Sequence, residues 1–279
     1  MTRVATIARF TCREAVRRRM LGAALALGIL FLTMYALGLW VLRNDASTRG
    51  LPNNVVWRAQ VTATLTAMGL YAANWLLALL SVLMAVDTLS GEIATGAMQL
   101  VVAKPLRRWE IVLGKWIGYA VLIVGYLLFM AGGVLMDSWL ILGHRPLHVP
   151  QTLGLMALES LLLLSITIRA GATLSTMATG ACVFGMHILA FLGGWIEEFG
   201  AMSHSSTAVN IGVAVSLAVP TEALWRRAAF EIRGPVVGTF GRTAFDVGSV
   251  PSVWMVLYAA IYLTAALYLA VRRFSTRDL

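Results

Sequence analysis

Six apolar runs, each near the length needed to cross a bilayer, constrain this chain more than any other feature. They cover about 21–42, 66–86, 116–136, 152–168, 174–196 and 253–271. A span takes about 20 predominantly apolar residues, and only a helix satisfies all its own backbone N–H and C=O groups in lipid. The runs therefore predict an all-α membrane protein with six transmembrane helices, organised as one transmembrane domain over 1–279. The fourth run is the shortest and carries Glu159. Composition agrees: 13% of residues are charged, about half the share in a soluble domain. The net charge of +9 raises nucleic-acid binding as an alternative. That reading fails because the cations sit at the ends of apolar runs, where the positive-inside rule puts them.

The same cations orient the chain. With the N-terminus in the cytoplasm, inner segments hold 14 Lys and Arg and outer segments hold 8, although the outer segments are longer. Both termini are thus expected inside. The first apolar run follows several Arg residues as a secretory signal would. At about 22 residues and with no small-x-small cleavage site, it is read as a retained span. The run 209–219 is too short to cross and stops at Pro220, so it predicts a re-entrant or interfacial helix. A seventh span there would also put the basic tail of Arg272, Arg273 and Arg277 outside.

Residues 1–20 read as an interfacial helix. Arg9, Arg13 and Arg17 recur every four residues as a basic stripe, and Val4, Ile7, Ala8, Thr11 and Ala15 share another face. That pattern suits a helix on the inner membrane surface, its cations near anionic lipid. A solvated tail serving only the positive-inside rule is the plainer alternative. Between spans two and three, 87–115 reads as a cytoplasmic segment carrying Lys104, Arg107 and Arg108. The outer region 197–252 carries Gly and Pro residues that predict turns between short helices.

No GxxxxGK[ST] occurs, so this chain has no phosphate-binding loop of its own. No nucleophile–base constellation emerges either. Two ionisable groups fall inside spans, where such groups are costly and mark function by default. Glu159 and His187 lie on consecutive antiparallel helices at one level, as a pathway or proton-relay pair or simply a structural hydrogen bond. Cys182 and Met186, at i and i+4 beside His187, form a soft face that suits Cu(I), although such residues also serve as plain packing. The two cysteines, Cys12 and Cys182, build neither a disulfide framework nor a CxxC site.

Within 87–115, the positions Glu92, Gly96, Pro105, Arg107, Gly114 and Lys115 carry a spacing that resembles the coupling segment of ABC type 2 transporter permeases. Ala97 stands where that family usually has Thr, and Leu106 where a small polar residue is common. The resemblance implies ATPase-coupling roles for Glu92, Gly96, Lys104, Pro105, Arg107, Arg108 and Lys115. A plain positive-inside loop explains the cations equally well, but not the apolar run 98–103 held outside the membrane. Leu89-Ser90-Gly91-Glu92 looks like the start of an ABC ATPase signature; with no phosphate-binding loop it is read as coincidence. Pro220–Arg226 and the ending Phe274-Ser275-Thr276-Arg277-Asp278-Leu279 resemble the copper-enzyme branch of these permeases, that of nitrous oxide reductase maturation.

Taken together, the resemblance implies a multi-pass protein of a bacterial inner membrane that is not itself an enzyme. It implies a second permease copy as a homodimer, a cytoplasmic ABC ATPase partner, and ATP and Mg2+ bound there with no cofactor in this chain. A periplasmic accessory protein is a further expected partner. The rival expectation is a stand-alone ion-coupled carrier or membrane enzyme built on Glu159 and His187. A third keeps the ATPase but makes the assembly a mechanical transmitter to an outer partner docked on 197–252.

Overall fold

The computed structural model describes residues 3–17, 19–44, 55–88, 107–233 and 250–275. Among these, the chain is all helix, with no strands. The helices are α1 (Arg3–Arg17), α2 (Arg19–Asn44), α3 (Val55–Val86), α4 (Arg108–Asp137), α5 (Val149–Gly171), α6 (Thr176–Met202), α7 (Ser206–Ala218), α8 (Thr221–Arg233) and α9 (Val253–Ser275). Six of them are long and apolar enough to cross a membrane: α2, α3, α4, α5, α6 and α9. The expected six-span architecture stands.

The spans sort into an inner and an outer set. In the best apolar windows 67% of α3 and 61% of α5 are buried within the chain, against 11% of α2 and 17% of α9. α3, α4 and α5 therefore form the centre. Their shared core includes Leu70, Leu77, Ile123, Met130, Met156 and Leu164. A helix apolar all round is stable only in a core or in lipid, and α2 turns Leu30, Met34, Leu37 and Trp40 outward.

Helix ends depart from the expected limits. The third span begins at Arg108, about eight residues early, because the Glu110 carboxylate accepts the Arg107 backbone N–H at 2.8 Å and starts the helix among its cations. Lys115, read as the end of a cytoplasmic segment, is consequently a buried helical residue. α6 likewise runs through Glu197 to Met202, so the outer region starts at 203 rather than 197. Arg226 neutralises Glu197 there and the helix continues. α4 ends in a π-turn over Ser138–Leu142, closed by Gly143 at φ 71, a left-handed conformation glycine adopts freely.

Where a re-entrant or interfacial helix was expected over 209–219, the structure has a bent helix pair whose geometry fits a re-entrant loop or a broken span. α7 and α8 meet at 102° across Val219 and Pro220. α7 lies close along α6: a β-carbon on Gly212 would come within 2.5 Å of the Glu197 Cβ and 2.7 Å of the Gly193 carbonyl. α8 turns back onto the bundle and packs against α5, where the Thr152 hydroxyl donates to the Ala228 carbonyl at 3.3 Å.

Candidate functional site

Polar side chains collect at two places, on opposite ends of the bundle. The first is the amino end of α4. Lys115 Nζ donates to the Thr88 carbonyl at 3.1 Å, just past the carboxyl end of α3. Arg108 Nη1 donates to the carbonyls of Phe274 at 3.2 Å and Ser275 at 3.1 Å, at the carboxyl end of α9. Both cations thus meet the carboxyl-end carbonyls that a helix leaves without partners, where positive charge is favoured.

α1 docks on the same end. Its buried face is Ala8, Thr11 and Ala15, the face expected from the sequence. The seam rests on two glycines of α4. A β-carbon at Gly114 would lie 2.6 Å from the Ile7 Cβ, and one at Gly118 would lie 2.7 Å from the Thr11 Cβ and 2.9 Å from the Ala8 carbonyl. Cys12 Sγ donates to the Gly118 carbonyl at 3.1 Å, and burial pushes the Cys12 thiol up from its ordinary range. Arg9, Arg13 and Arg17 are all exposed on the opposite side of α1. One short stretch of α4 therefore carries α1 along its side and ties down the ends of α3 and α9.

Of the residues assigned to coupling, the structure brings Arg108 and Lys115 into this junction and leaves Arg107 exposed at its edge. Glu92, Gly96, Lys104 and Pro105 lie outside the described residues. Lys115 faces the protein interior, so its contact with a partner would be indirect.

The second place is a buried polar cluster where α3, α5, α6 and α8 meet. Asn74 Nδ2 donates to both oxygens of Glu159, at 3.1 and 3.0 Å. His187 Nδ1 lies 3.1 Å from the Thr221 hydroxyl, and its ring lies 4.9 Å from that of Trp75. Glu159 and His187 thus meet neighbouring residues of α3, Asn74 and Trp75. They are joined to Asn74 and Thr221, and no hydrogen bond links them. His187 Nε2 is buried without a hydrogen-bond partner.

Arg226 on α8 completes the cluster. Its Nη1 donates to Glu197 Oε2 at 2.6 Å and its Nη2 lies 3.8 Å from Glu198 Oε2. Glu222, one turn before it, is packed over Gly194. Tyr71 and Trp225, 5.1 Å apart, close the side facing α3. Cys182 is exposed on α6 and Met186 half-buried. Among the described residues no three His, Cys, Asp or Glu side chains gather as a metal site would.

Sequence reasoning missed Asn74, Thr221, Glu222 and Arg226 as site residues. A signal existed: Glu197 and Glu198 close an apolar run with no cation nearby, and Glu222 and Arg226 sit four apart on the segment that follows the next one. Such charges need a buried partner, but which partner is a matter of tertiary packing.

The all-helical chain with its six candidate spans is consistent with what a comparison to known families finds. The family model described as ABC-2 family transporter protein matches residues 5–279. The chain belongs to this family. It is a multi-pass membrane protein and the membrane component of an ABC transporter, a family that works with an ATPase component. No curated protein matches the chain.

Proposed function

We propose that this permease couples ATP hydrolysis by a separate cytoplasmic ATPase to export or conformational signalling across a bacterial inner membrane. Two copies pair, each engaging one ATPase, with both termini in the cytoplasm. ATP and Mg2+ bind in the ATPase. The observation supporting this reading is the junction at the amino end of α4, where α1, α3 and α9 are all anchored. A push delivered there reaches three spans and the surface helix together, because packed helices shift as rigid bodies. Glu92, Gly96, Lys104 and Pro105 belong to the segment that would receive the push, with Arg107 at its exposed edge. Arg9, Arg13 and Arg17 hold α1 to anionic lipid while it moves.

The test is gentle purification of the tagged chain from native membranes. Under this reading, an ATPase with phosphate-binding loops comes along at equal stoichiometry. In Arg107→Glu the permease still inserts, but ATP hydrolysis no longer drives transport. A chain that purifies alone, or a variant with unchanged ATP-driven transport, refutes the coupling role. The finer placement in the copper-enzyme maturation branch rests on Pro220–Arg226 and the Phe274–Leu279 ending. A co-purifying periplasmic maturation factor would support it and would also identify the accessory partner.

A further inference from the structure

At the end of the bundle away from Arg108 and Lys115, two cations stand on one turn without a counter-charge. Arg43 follows the apolar run of α2 at Leu42, and Arg145 comes shortly after the π-turn that ends α4 at Leu142. Arg43 Nη1 donates to the Ile141 carbonyl at 2.8 Å, which brings the ends of α2 and α4 to the same level. The Arg145 guanidinium lies 4.9 Å from the centre of the Trp139 ring, on the same turn. Both arginines are exposed, and among the described residues neither meets a carboxylate. Asp137, an acid at this end of α4, is half-buried and forms an ion pair with neither.

A guanidinium carries several N–H donors in a planar fork that suits phosphate. Arg43 uses one of its donors on Ile141, and the contact of Arg145 with Trp139 uses the face of its guanidinium and leaves the edge donors open. The surroundings say what kind of anion belongs here. Trp40 and Trp139 are exposed where the apolar runs stop, the depth at which aromatic rings sit beside lipid headgroups. Next to them in the chain, Val41 and Leu140 are 55% and 58% exposed on helices that cross the membrane. Positive charge at the margin of an apolar, lipid-facing surface is complementary to a molecule with a phosphate and acyl chains. A free anion would use the cations and leave that surface unmatched.

We propose that the corner between α2 and α4 binds the phosphate of an anionic phospholipid through Arg43 and Arg145, with the acyl chains along the exposed side of the two helices. The bound lipid bridges the two spans. α2 has the most to gain, since only 11% of its apolar window is buried within the chain. The site needs no ATPase and no assigned leaflet, so its failure leaves the coupling reading untouched.

The experiment is native mass spectrometry of the purified full-length chain titrated with phosphatidylglycerol, with phosphatidylcholine as the net-neutral comparison. The α1 stripe is present in every sample and cancels. Arg43→Gln and Arg145→Gln should each weaken one phosphatidylglycerol site about fivefold, and together by about the product, as expected for one surface cation apiece. Retention of phosphatidylcholine should change little. In parallel, phosphatidylglycerol should raise the thermal transition of wild type more than that of the double variant. Equal phosphatidylglycerol binding by wild type and the double variant overturns the proposal. So does an equal loss of both lipids, or displacement of the lipid by inorganic phosphate, which would mean a site for free anions. If Arg43→Gln does not fold, Arg145→Gln decides alone, because that exposed side chain makes no hydrogen bond among the described residues.

Discussion

At the amino end of α4, Arg108 and Lys115 reach backbone carbonyls that end other helices; on α8, Arg226 reaches the buried Glu197 and the half-buried Glu198. The first arrangement uses partners every helix supplies. The cations gain from the helix dipole. The second uses carboxylates that α6 brings against α8. Removing one member there leaves opposite charges unmatched away from water, which is far more costly than losing a bond at a helix end. The cation-to-carbonyl end is therefore the one better able to shift, and the ion-paired end the one built to hold.

This contrast fails most visibly if Arg226 proves dispensable. Arg226→Ala takes the Arg226 guanidinium away from Glu197 and Glu198, with an expected loss of about 3–5 kcal/mol. Faster proteolysis and an earlier thermal transition of the detergent-solubilised chain would report it. Adding Glu197→Gln should restore part of the loss, since the closer of the two stranded charges is then gone. A single variant as stable as wild type would mean that water reaches this ion pair, and the two ends would no longer differ in kind.

Next in size is the glycine seam under α1. Gly118→Val would push a side chain into Thr11 and the Ala8 carbonyl, and backbone at that distance cannot yield cheaply. The expected cost is about 1–3 kcal/mol, spent in lifting α1 from α4 rather than in unfolding the spans. Limited proteolysis should cut within residues 3–17 first, while the rest of the chain remains intact. Simultaneous loss of the whole bundle would show that α1 is part of the core and not a docked helix.

The same contrast explains what could be read from the sequence. The six spans, the docked face of Ala8, Thr11 and Ala15, and the break at Pro220 follow from local rules of length, periodicity and backbone chemistry. The cations at the amino end of α4 follow from the positive-inside rule. Their partners did not, because Thr88 and Phe274 are chosen by how helices far apart in sequence end side by side. Glu159 and His187 were found as costly ionisable groups at one level. Their partners are not legible, because Asn74 and Trp75 come from α3, a helix distant in sequence from both.

The smallest expected effect lies at Cys12, and it reads the movable end directly. Its thiol donates to the Gly118 carbonyl and is held up by burial. Alkylation proceeds through the thiolate, so a raised thiol reacts slowly at neutral pH. Its rate keeps climbing with pH beyond the range where a free cysteine has levelled off. In Cys182→Ser, which leaves Cys12 as the only thiol, the labelling rate should therefore be low and steeply pH-dependent. Gly118→Val in that background should raise it toward the value of a free thiol, by lifting Sγ away from its carbonyl. If α1 rides with α4 as the proposed mechanism requires, ATP turnover by an associated ATPase should change the rate only modestly in the otherwise wild-type seam. A large change would instead mean that α1 detaches during the cycle, and the junction at α4 would transmit motion through α3 and α9 alone.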